Sequence, residues 1–467
     1  TLVIVVSVFV ASCELEHYKF PLLSRYMESG YRFEDVCLFI KRTLFTVVLV
    51  PAILIGHTRY TQLTASWRRM FLGFVSATAL LSVSLIIREL YLNFLEPHSW
   101  DFLPRYIDGR VASLGLNFYH PESYEQALAA SYIPFQPDES FLNDDVKTAF
   151  KYPPPTMLYF VPLGFFSFRT SHYMWTALNS VMILVNVMLV TKLFFAKEGW
   201  RGIATATSLL LLFPAARKIA YFEQTNFILL AWTLLLWRDR LLPRAGIWSA
   251  MAICTKPFMA CVALYPLLRR KWGMITQLLV AGIVICALAV LAFGPSSFLS
   301  FFTERTLARI PNTVYLQWIN QSLLSTVLRL TNYEFVHPEQ FRHPFFLAGA
   351  AMITASTVWI LHRSRSEQTE VMISLTLLLG LLLYPGNLNH YSLVCIIPIL
   401  FLYRSGSSET LIQHWRKTLP WALCLLYVVF DVAAFYANLA LWAVLITLCW
   451  VQLKREANGR QGAPIPG

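Results

Sequence analysis

Charge is what this sequence has least of. Asp, Glu, Lys and Arg make up 14% of its 467 residues, whereas they account for about 25% of an ordinary soluble domain. Hydrophobic residues reach 57%, and the mean hydropathy is +0.54. The apolar residues fall in long blocks, several of them near the roughly 20 residues that a helix needs to cross hydrocarbon. These features exclude a soluble globular protein and predict an all-α polytopic membrane protein.

The sequence also lacks the patterns that bind metals. Its eight cysteines are scattered, with no spacing typical of a zinc site or a disulfide framework. Asp101 and Asp108 would share one face of a helix, where they could hold a divalent cation between them or simply interact with Arg105 and Arg110. No dense cluster of Asp, Glu and His accompanies this pair, so we expect no metal and no other cofactor.

The few charges are unevenly distributed. The formal net charge is +12, but Lys and Arg collect in short segments between apolar blocks, as the positive-inside rule describes. We therefore expect membrane lipid, and not nucleic acid, around this protein. Arg59, Arg68 and Arg69 precede the apolar block 70–87 and indicate the cytoplasmic side. The polar segment 88–155 is then a long first extracytoplasmic loop.

The apolar blocks predict about eleven to thirteen membrane helices or half-helices. The predicted organisation has N-terminal membrane helices over 1–69, a core over 70–403 that includes the loop 88–155, and C-terminal helices and a tail over 404–467. Whether the run 156–168 spans, re-enters or lies in the interface stays open. Besides that run and 1–11, the blocks are 38–56, 70–87, 172–195, 202–213, 219–237, 246–267, 273–293, 344–361, 371–384, 388–403 and 419–450.

Some blocks are interrupted by polar residues and predict short-legged hairpins. Only the block 246–267 separates two basic clusters, and Lys256-Pro257 lies at its middle. Proline breaks the helix there, so two half-helices would return both basic clusters to one side. A similar interruption at 384–391 joins 371–384 to 388–403, and one at 214–218 joins 202–213 to 219–237. We expect the three tips to form one cavity facing the side of the loop.

Short motifs occur in a telling order along this frame. Asp101-Phe102 lies in the loop, and Tyr152-Pro153-Pro154-Pro155 closes it. Gln224-x-Asn226, Lys256-Pro257, Asn320-Gln321-Ser322-Leu323 and Asn389-His390-Tyr391 follow. In order and spacing they resemble glycosyltransferases of the GT-C fold that use polyprenyl-phosphate sugars, and in particular glycosyltransferase family 87. The family usually has a Tyr four residues after the acid, whereas here that position is Arg105 and Tyr106 follows it.

The resemblance implies a GT-C-like helical bundle and an activity. The enzyme would transfer a sugar, with mannose expected first, from a polyprenyl-phosphate donor to a glycolipid or lipid-linked acceptor. Inversion at the sugar carbon would follow if the acceptor hydroxyl attacks opposite the phosphate. The active site would face the extracytoplasmic side of a bacterial plasma membrane.

Two residues would carry the chemistry. An acceptor hydroxyl is a poor nucleophile, and a carboxylate base speeds its attack by about 10²–10⁴-fold. The resemblance assigns this role to Asp101, which could instead cap a helix or pair with Arg105. Lys256 is a cation inside an apolar block, which is costly and usually functional. It is the leading candidate for binding the donor phosphate, although it could pair with Glu223.

Other polar residues could complete the site. His390 and Arg217 are candidates for binding the donor phosphate, and each could equally be a structural hydrogen-bonding or interfacial residue. The amides could bind sugar hydroxyls or satisfy loop backbone, while the tyrosine could shape the cavity wall. The candidates for binding sugar or acceptor are Asp108, Tyr152, Gln224, Asn226, Asn320 and Gln321.

Two other classes of membrane protein compete with this interpretation. A transporter or flippase of a lipid-linked or small polar solute would also place polar residues on broken helices. It has little need of a long acidic loop, and the halves of this sequence show no inverted repeat. A structural membrane subunit would leave Lys256 and Asp101 without a purpose.

Overall fold

The computed structural model describes residues 48–95, 102–117, 119–131, 153–303, 320–331, 342–364, 368–405 and 434–461. These residues form helices and turns and no strand, with one isolated antiparallel bridge between Asn320 and Leu388. The principal helices are α1 Val48–Thr58, α2 Ala65–Leu95, α3 Phe102–Ser113, α4 Pro121–Ala129, α5 Phe168–Phe194, α6 Gly199–Leu211, α7 Pro214–Phe222, α8 Asn226–Arg238, α9 Ala245–Thr255, α10 Trp272–Phe293, α11 Pro295–Thr303, α12 Leu323–Leu330, α13 Pro344–Arg363, α14 Thr369–Leu383, α15 Ile396–Ser405 and α16 Ala434–Gln461.

Five of these helices, α2, α5, α10, α13 and α16, are long and apolar enough to cross a membrane, and a bent pair brings the number in the described residues to six. The exposed surface of α10 indicates that it is surrounded by lipid. In the most apolar stretch of α10, only 11% of the residues are buried within the protein. Ile283 and Leu291 on this helix are exposed. A helix that leaves apolar side chains outward along its length belongs in lipid. The chain is an all-α polytopic membrane protein, as the sequence predicts.

The hairpin predicted around Lys256 is confirmed. The chain leaves α9 at Thr255, and a second short apolar leg, Pro257–Leu268, follows it. Gly273, at the start of α10, lies so close to Pro243 that an added Cβ would be 3.4 Å from the proline Cγ. The two basic clusters, 238–244 and 269–271, therefore lie at one end of the bundle. We call this the basic end, and the opposite end the tip end.

The second hairpin is confirmed as well. Helix α14 starts at the basic end, where the Tyr265 hydroxyl is 3.2 Å from Thr369 Oγ1. A 3-10 helix, Asn389–Cys395, follows the turn at the tip end. Helix α15 then descends until Phe401 packs on Trp237, with ring centroids 5.7 Å apart. Both legs are therefore half-helices that share one side of the bundle.

The third hairpin differs in one respect from the prediction. Its outer legs, α6 and α8, have the expected directions, but the residues expected to form a polar turn at 214–218 are helical. They begin α7, which is bent by 67° from the preceding segment. Pro214 is at the first position of α7, where its missing N–H costs nothing and its fixed φ favours the helix. The turn instead comes at Glu223.

The predicted loop 88–155 contains helical structure. Helix α2 continues to Leu95, so the loop starts later than expected, and α3 and α4 follow it. These helices share a second hydrophobic core with the start of α5, in which Phe102, Tyr106, Phe160, Phe168 and Trp175 are buried. Gly109 and Gly164 are in close contact, and an added Cβ on Gly164 would be 2.2 Å from the Gly109 carbonyl oxygen. Glycine allows this approach because it has no side chain.

The run 156–168 does not span. It forms a 3-10 helix, Pro154–Tyr159, and a single helical turn, Val161–Gly164. The Ser167 hydroxyl then accepts from Thr170 N and caps α5, which makes the one crossing in this part of the chain. Of the alternatives that the sequence left open, a span over 156–168 is therefore excluded.

Ion pairs concentrate at the basic end. Asp239 accepts from Arg238 at 2.8 Å and from Arg244 at 2.8 Å. The hydrogen bond from Arg238, with weaker ones from Arg244 and Trp248, holds the pKa of Asp239 well below its ordinary value. Glu198 likewise contacts His57 and, at 2.8 Å, Arg404. The acids at this end therefore neutralise part of the basic charge and join neighbouring helices.

Candidate functional site

The three hairpin tips meet around Lys256. This residue has an extended backbone, with φ −147° and ψ 125°, between α9 and the 3-10 segment that follows. Its Nζ donates to the Tyr391 hydroxyl at 3.2 Å and lies 3.5 Å from Gln224 Oε1. It also lies 4.3 Å from the centroid of the Tyr391 ring. One cation thus joins the tips of all three hairpins, as predicted.

The backbone break at Lys256 is held by the segment that closes the loop. Pro257 has no N–H to continue the helical ladder, which leaves carbonyl groups at the end of α9 in need of donors. The Thr156 hydroxyl donates to the Cys254 carbonyl at 2.7 Å. The Tyr159 and Thr255 hydroxyls are 2.9 Å apart. The 3-10 helix Pro154–Tyr159, which begins within the three prolines, therefore supports the lysine, and the sequence did not show this.

Aromatic rings surround the lysine on the second hairpin. The Tyr391 ring stacks on Phe258 with centroids 5.7 Å apart, and the His390 ring packs against Tyr391 at 4.9 Å. His390 Nε2 is buried and forms no hydrogen bond with any residue that the structure describes. His390 therefore lies beside the lysine tip with an Nε2 that could bind a ligand, and its role in binding the donor phosphate stays a prediction.

The turn 223–226 forms the third wall. Asn226 Nδ2 donates to the His390 carbonyl at 3.2 Å, so both amides of the Gln224-x-Asn226 motif face neighbouring tips. Glu223, which the sequence offered as a partner for Lys256, has its carboxylate directed to α5. There it accepts from Thr176 at 2.7 Å and lies 2.8 Å from His172 Nε2. Sequence reasoning missed His172 because it stands alone at the start of an apolar helix.

Arg217 lies apart from this cluster in its contacts. It is on α7, and its guanidinium is 3.6 Å from Glu89 on α2. The contact joins α7 to α2, and the role of Arg217 in binding the donor phosphate stays a prediction.

Asn320 and Gln321 hold the second tip in place. Asn320 Nδ2 donates to the Pro385 carbonyl at 2.8 Å and its Oδ1 accepts from Ser322 N at 3.1 Å. Gln321 Oε1 accepts from Phe435 N at 2.9 Å. Of the two alternatives left open by the sequence, these contacts favour amides that satisfy loop backbone.

Among the loop residues, Asp108 is buried on α3, where Arg105 donates to it at 3.1 Å. Burial and the nearby charge of Asp108 raise the pKa of Tyr119 well above its ordinary value. The proposed base Asp101 and the candidate Tyr152 lie outside the described residues. Phe102, the residue after Asp101, packs its ring on His172 with centroids 5.3 Å apart.

In the described ranges, no group of three or more His, Cys, Asp and Glu residues could hold a metal ion. The expectation that no metal or cofactor is needed stays a prediction.

The arrangement defines a class of protein. It is an integral membrane protein in which broken half-helices bring a buried lysine, two amides, a phenol and an imidazole to one point. Ionisable groups at membrane depth are expensive and mark binding or transfer sites. Broken helices at that depth are tolerated where they are packed in protein or line a cavity.

Comparison with known proteins identifies the family. Residues 150–385 match the family described as Glycosyltransferase family 87, and the match includes the tips at Glu223 and Lys256 and the start of the tip at 384–391. Because it covers half of the chain, the protein belongs to glycosyltransferase family 87, as the motifs predicted.

Two curated relatives show more distant similarity. Both are described as Alpha-(1->3)-arabinofuranosyltransferase, one from Mycobacterium tuberculosis strain CDC 1551 / Oshkosh and the other from strain ATCC 25618 / H37Rv. Each is 29% identical over 191 residues, a stretch that covers 39% of this chain and 42% of the relative. No solved structure matches the chain significantly.

Proposed function

We propose that the protein transfers a sugar from a polyprenyl-phosphate donor to a glycolipid or lipid-linked acceptor, with inversion at the sugar carbon. The observation that carries the proposal is the junction of three half-helix tips at Lys256. Membership of a glycosyltransferase family supports the reaction class and argues against a transporter or flippase.

Lys256 suits a phosphate that leaves with negative charge. Burial gives the lysine a surrounding of low effective dielectric, in which a contact with an anion is worth more than in water. The groups around it do not have to reorganise, because the Tyr391 and Gln224 contacts and the Thr156 support fix them beforehand. Preorganised charge of this kind is usually the largest single contribution to catalysis. His390 would orient the phosphate or the acceptor from the adjoining position.

The base is proposed from the resemblance. Asp101 would take the proton of the acceptor hydroxyl, and no acid is needed at the leaving oxygen because phosphate is already a good leaving group. The next residue, Phe102, begins α3 and is buried between His172 and Trp175.

The sugar is proposed from similarity alone. The family resemblance suggests mannose, whereas the two relatives are described as arabinofuranosyltransferases. In either case the part of the proposed donor that Lys256 would bind is the lipid phosphate. The proposal therefore specifies a polyprenyl-phosphate pentose or hexose, with mannose and arabinofuranose as the two donors to test.

We also propose that the tip end faces the extracytoplasmic side of a bacterial plasma membrane. Arg238, Arg240, Arg244, Arg269 and Arg270 all lie at the opposite end, and such clusters stay in the cytoplasm. The lysine site would then receive donor and acceptor from the outer leaflet.

Transfer in detergent tests the function. The purified protein is incubated with polyprenyl phosphates that carry radiolabelled mannose or arabinofuranose, together with a membrane-lipid extract as the acceptor source. We expect label to move into a new glycolipid, and much more slowly with Lys256→Met. Movement of the labelled lipid across proteoliposomes without sugar transfer would support the transporter class and contradict the proposal.

A further inference from the structure

Glu223 has a role that the lysine site alone does not explain. We propose that Glu223, together with His172, is a positioning residue that holds Gln224 against Lys256 and so sets the affinity of the site for phosphate. This inference rests on the proposed function, because it assumes that Lys256 binds the donor phosphate.

The backbone of Glu223 is the first observation. Its φ of 52° and ψ of 43° place it in the left-handed region at the end of α7. A helix commonly ends with one such residue, usually glycine, because a Cβ makes this conformation unfavourable. Gln224 N donates to the Ile219 carbonyl at 3.2 Å, which closes the same turn. A glycine would make this turn with less strain, so the glutamate side chain must contribute something else.

The carboxylate of Glu223 is the second observation. The Glu223 side chain is fully buried, and the His172 side chain is 1% exposed. Glu223 Oε1 accepts from Thr176 at 2.7 Å, and Glu223 Oε2 lies 2.8 Å from His172 Nε2. Trp175 Nε1 donates to its backbone carbonyl at 2.7 Å. The three partners lie three and four residues apart on α5 and therefore share one face, so a single helix holds both backbone and side chain.

The anchoring of Glu223 on α5 controls the position of the next residue, Gln224. Gln224 follows Glu223 directly, and its Oε1 is the group 3.5 Å from Lys256 Nζ. Two residues further, Asn226 contacts the His390 carbonyl. If the carboxylate lost its partners on α5, the turn 223–226 would be free to rotate, and Gln224 would no longer fix the lysine. Helix α5 thus sets the geometry of the phosphate site from behind it.

Four variants test the proposal: Glu223→Gln, Glu223→Gly, His172→Gln and the double variant Glu223→Gln/His172→Gln. Asp239→Asn is the matched control, since it removes a different buried carboxylate, one that pairs with arginines at the basic end. The probe is undecaprenyl monophosphate alone. Its affinity for the folded protein in detergent is obtained from the concentration dependence of thermal stabilisation, and the melting temperature without ligand is measured in parallel.

We expect Glu223→Gln to weaken binding of the probe about tenfold, the equivalent of about 1.4 kcal/mol. Glu223→Gly should lose at least as much although it relieves the backbone. The double variant should lose no more than the larger single loss, because the two residues act as one unit. Asp239→Asn should bind the probe like the wild type. In turnover, the Glu223 variants should raise the KM for the donor more than they lower kcat.

The outcomes separate the two proposals. If Lys256→Met abolishes binding while Glu223→Gln and Glu223→Gly bind the probe like the wild type, the positioning role is wrong and the phosphate site stands. A lower melting temperature with unchanged affinity would likewise reduce Glu223 to a structural residue. If the wild type does not bind the probe at all, the proposed function fails, and the positioning role fails with it.

Discussion

Polar groups are used in opposite ways around Asp239 at the basic end and around Lys256 at the tip end. At the basic end, Asp239 and Glu370 meet arginines as ion pairs, with Arg240 Nη2 2.5 Å from Glu370 Oε1. At the tip end, the contacts of Lys256 include a phenol and an amide. An ion pair neutralises both partners within the protein. A cation that is also held by dipolar groups keeps the ability to bind an anion from outside.

The two kinds of polar contact contribute differently to stability and to function. Pairs at an aqueous surface stabilise a fold by modest amounts, about 0–1 kcal/mol each. Polar groups at membrane depth cost free energy that the fold alone does not recover, and they persist where they bind or transfer something. The ion pairs of the basic end therefore have a structural role, and Lys256 at the tip end is the candidate site. Changes at the tip end should affect reaction more than stability, and changes at the basic end should do the reverse.

The largest effect is expected outside the described residues, at Asp101. If it is the base, Asp101→Asn should fold normally and lose roughly 10²–10⁴-fold in turnover, because the acceptor hydroxyl is no longer deprotonated. The melting temperature and the rate of transfer from the labelled donor are measured together. Turnover within about threefold of the wild type would be far too small a loss for a general base and would move the role to Asp108 or away from this loop.

The second largest loss of activity is expected for Lys256→Met. Removing one preorganised charge contact costs roughly 2–4 kcal/mol of transition-state stabilisation. The loss in kcat/KM measures it, and the apo protein should melt at or above the wild-type temperature because a buried charge has gone. Lys192→Met is the control, since this exposed lysine lies on α5 at the basic end. Equal losses in the two variants would erase the distinction between the ends.

A smaller effect is expected at Thr156, which supports the break from the loop side. Thr156→Val leaves the buried Cys254 carbonyl without this donor and should cost about 1–3 kcal/mol, divided between stability and kcat/KM. Thr233→Val is a close match, because the Thr233 hydroxyl is also buried and donates to a carbonyl, that of Leu229 at 2.8 Å. That carbonyl keeps its bond within α8, so the control should lose less. If both variants behave alike, Thr156 does not position the lysine.

The sequence predicted the frame well because each hairpin leaves a local signal. An apolar block interrupted by Lys256-Pro257 between two basic clusters allows few topologies, and the observed one follows from charge and proline chemistry. What it could not predict depends on contacts between distant segments. Thr156 meets Cys254 across 98 residues, and Glu223 meets His172 across 51 positions of the chain. No local pattern marks such pairs, so the supports behind the lysine became visible only in the fold.

The same limit explains why the sequence alone could not decide the role of the two amides Asn320 and Gln321. Asn320-Gln321 is a polar pair in an apolar chain, a pattern typical of a ligand site and equally of a braced turn. The decision depends on whether backbone groups nearby need partners. They do, since the tip at 384–388 presents the Pro385 carbonyl to Asn320, and this carbonyl belongs to a turn 65 residues later in the chain. By contrast, Lys256 could be predicted because a charge in an apolar block is conspicuous by itself.

The smallest effect on activity is expected at Asp239, which tests the other side of the comparison. Asp239→Asn should lower stability by about 1 kcal/mol, as for a partly exposed ion pair, with kcat and KM unchanged. Because the pKa of Asp239 is lowered by its arginine partners, its contribution is fully present above the ordinary value of 3.8 and is lost as the pH falls below it.

The difference in melting temperature between the wild type and Asp239→Asn should therefore stay constant from neutral pH down to about pH 4 and shrink only below that. Thermal unfolding in detergent across this range measures it. A difference that changes near neutral pH would show that Asp239 is not held ionised by Arg238 and Arg244. A change in turnover at constant stability would be more serious, because it would place a determinant of the reaction at the basic end.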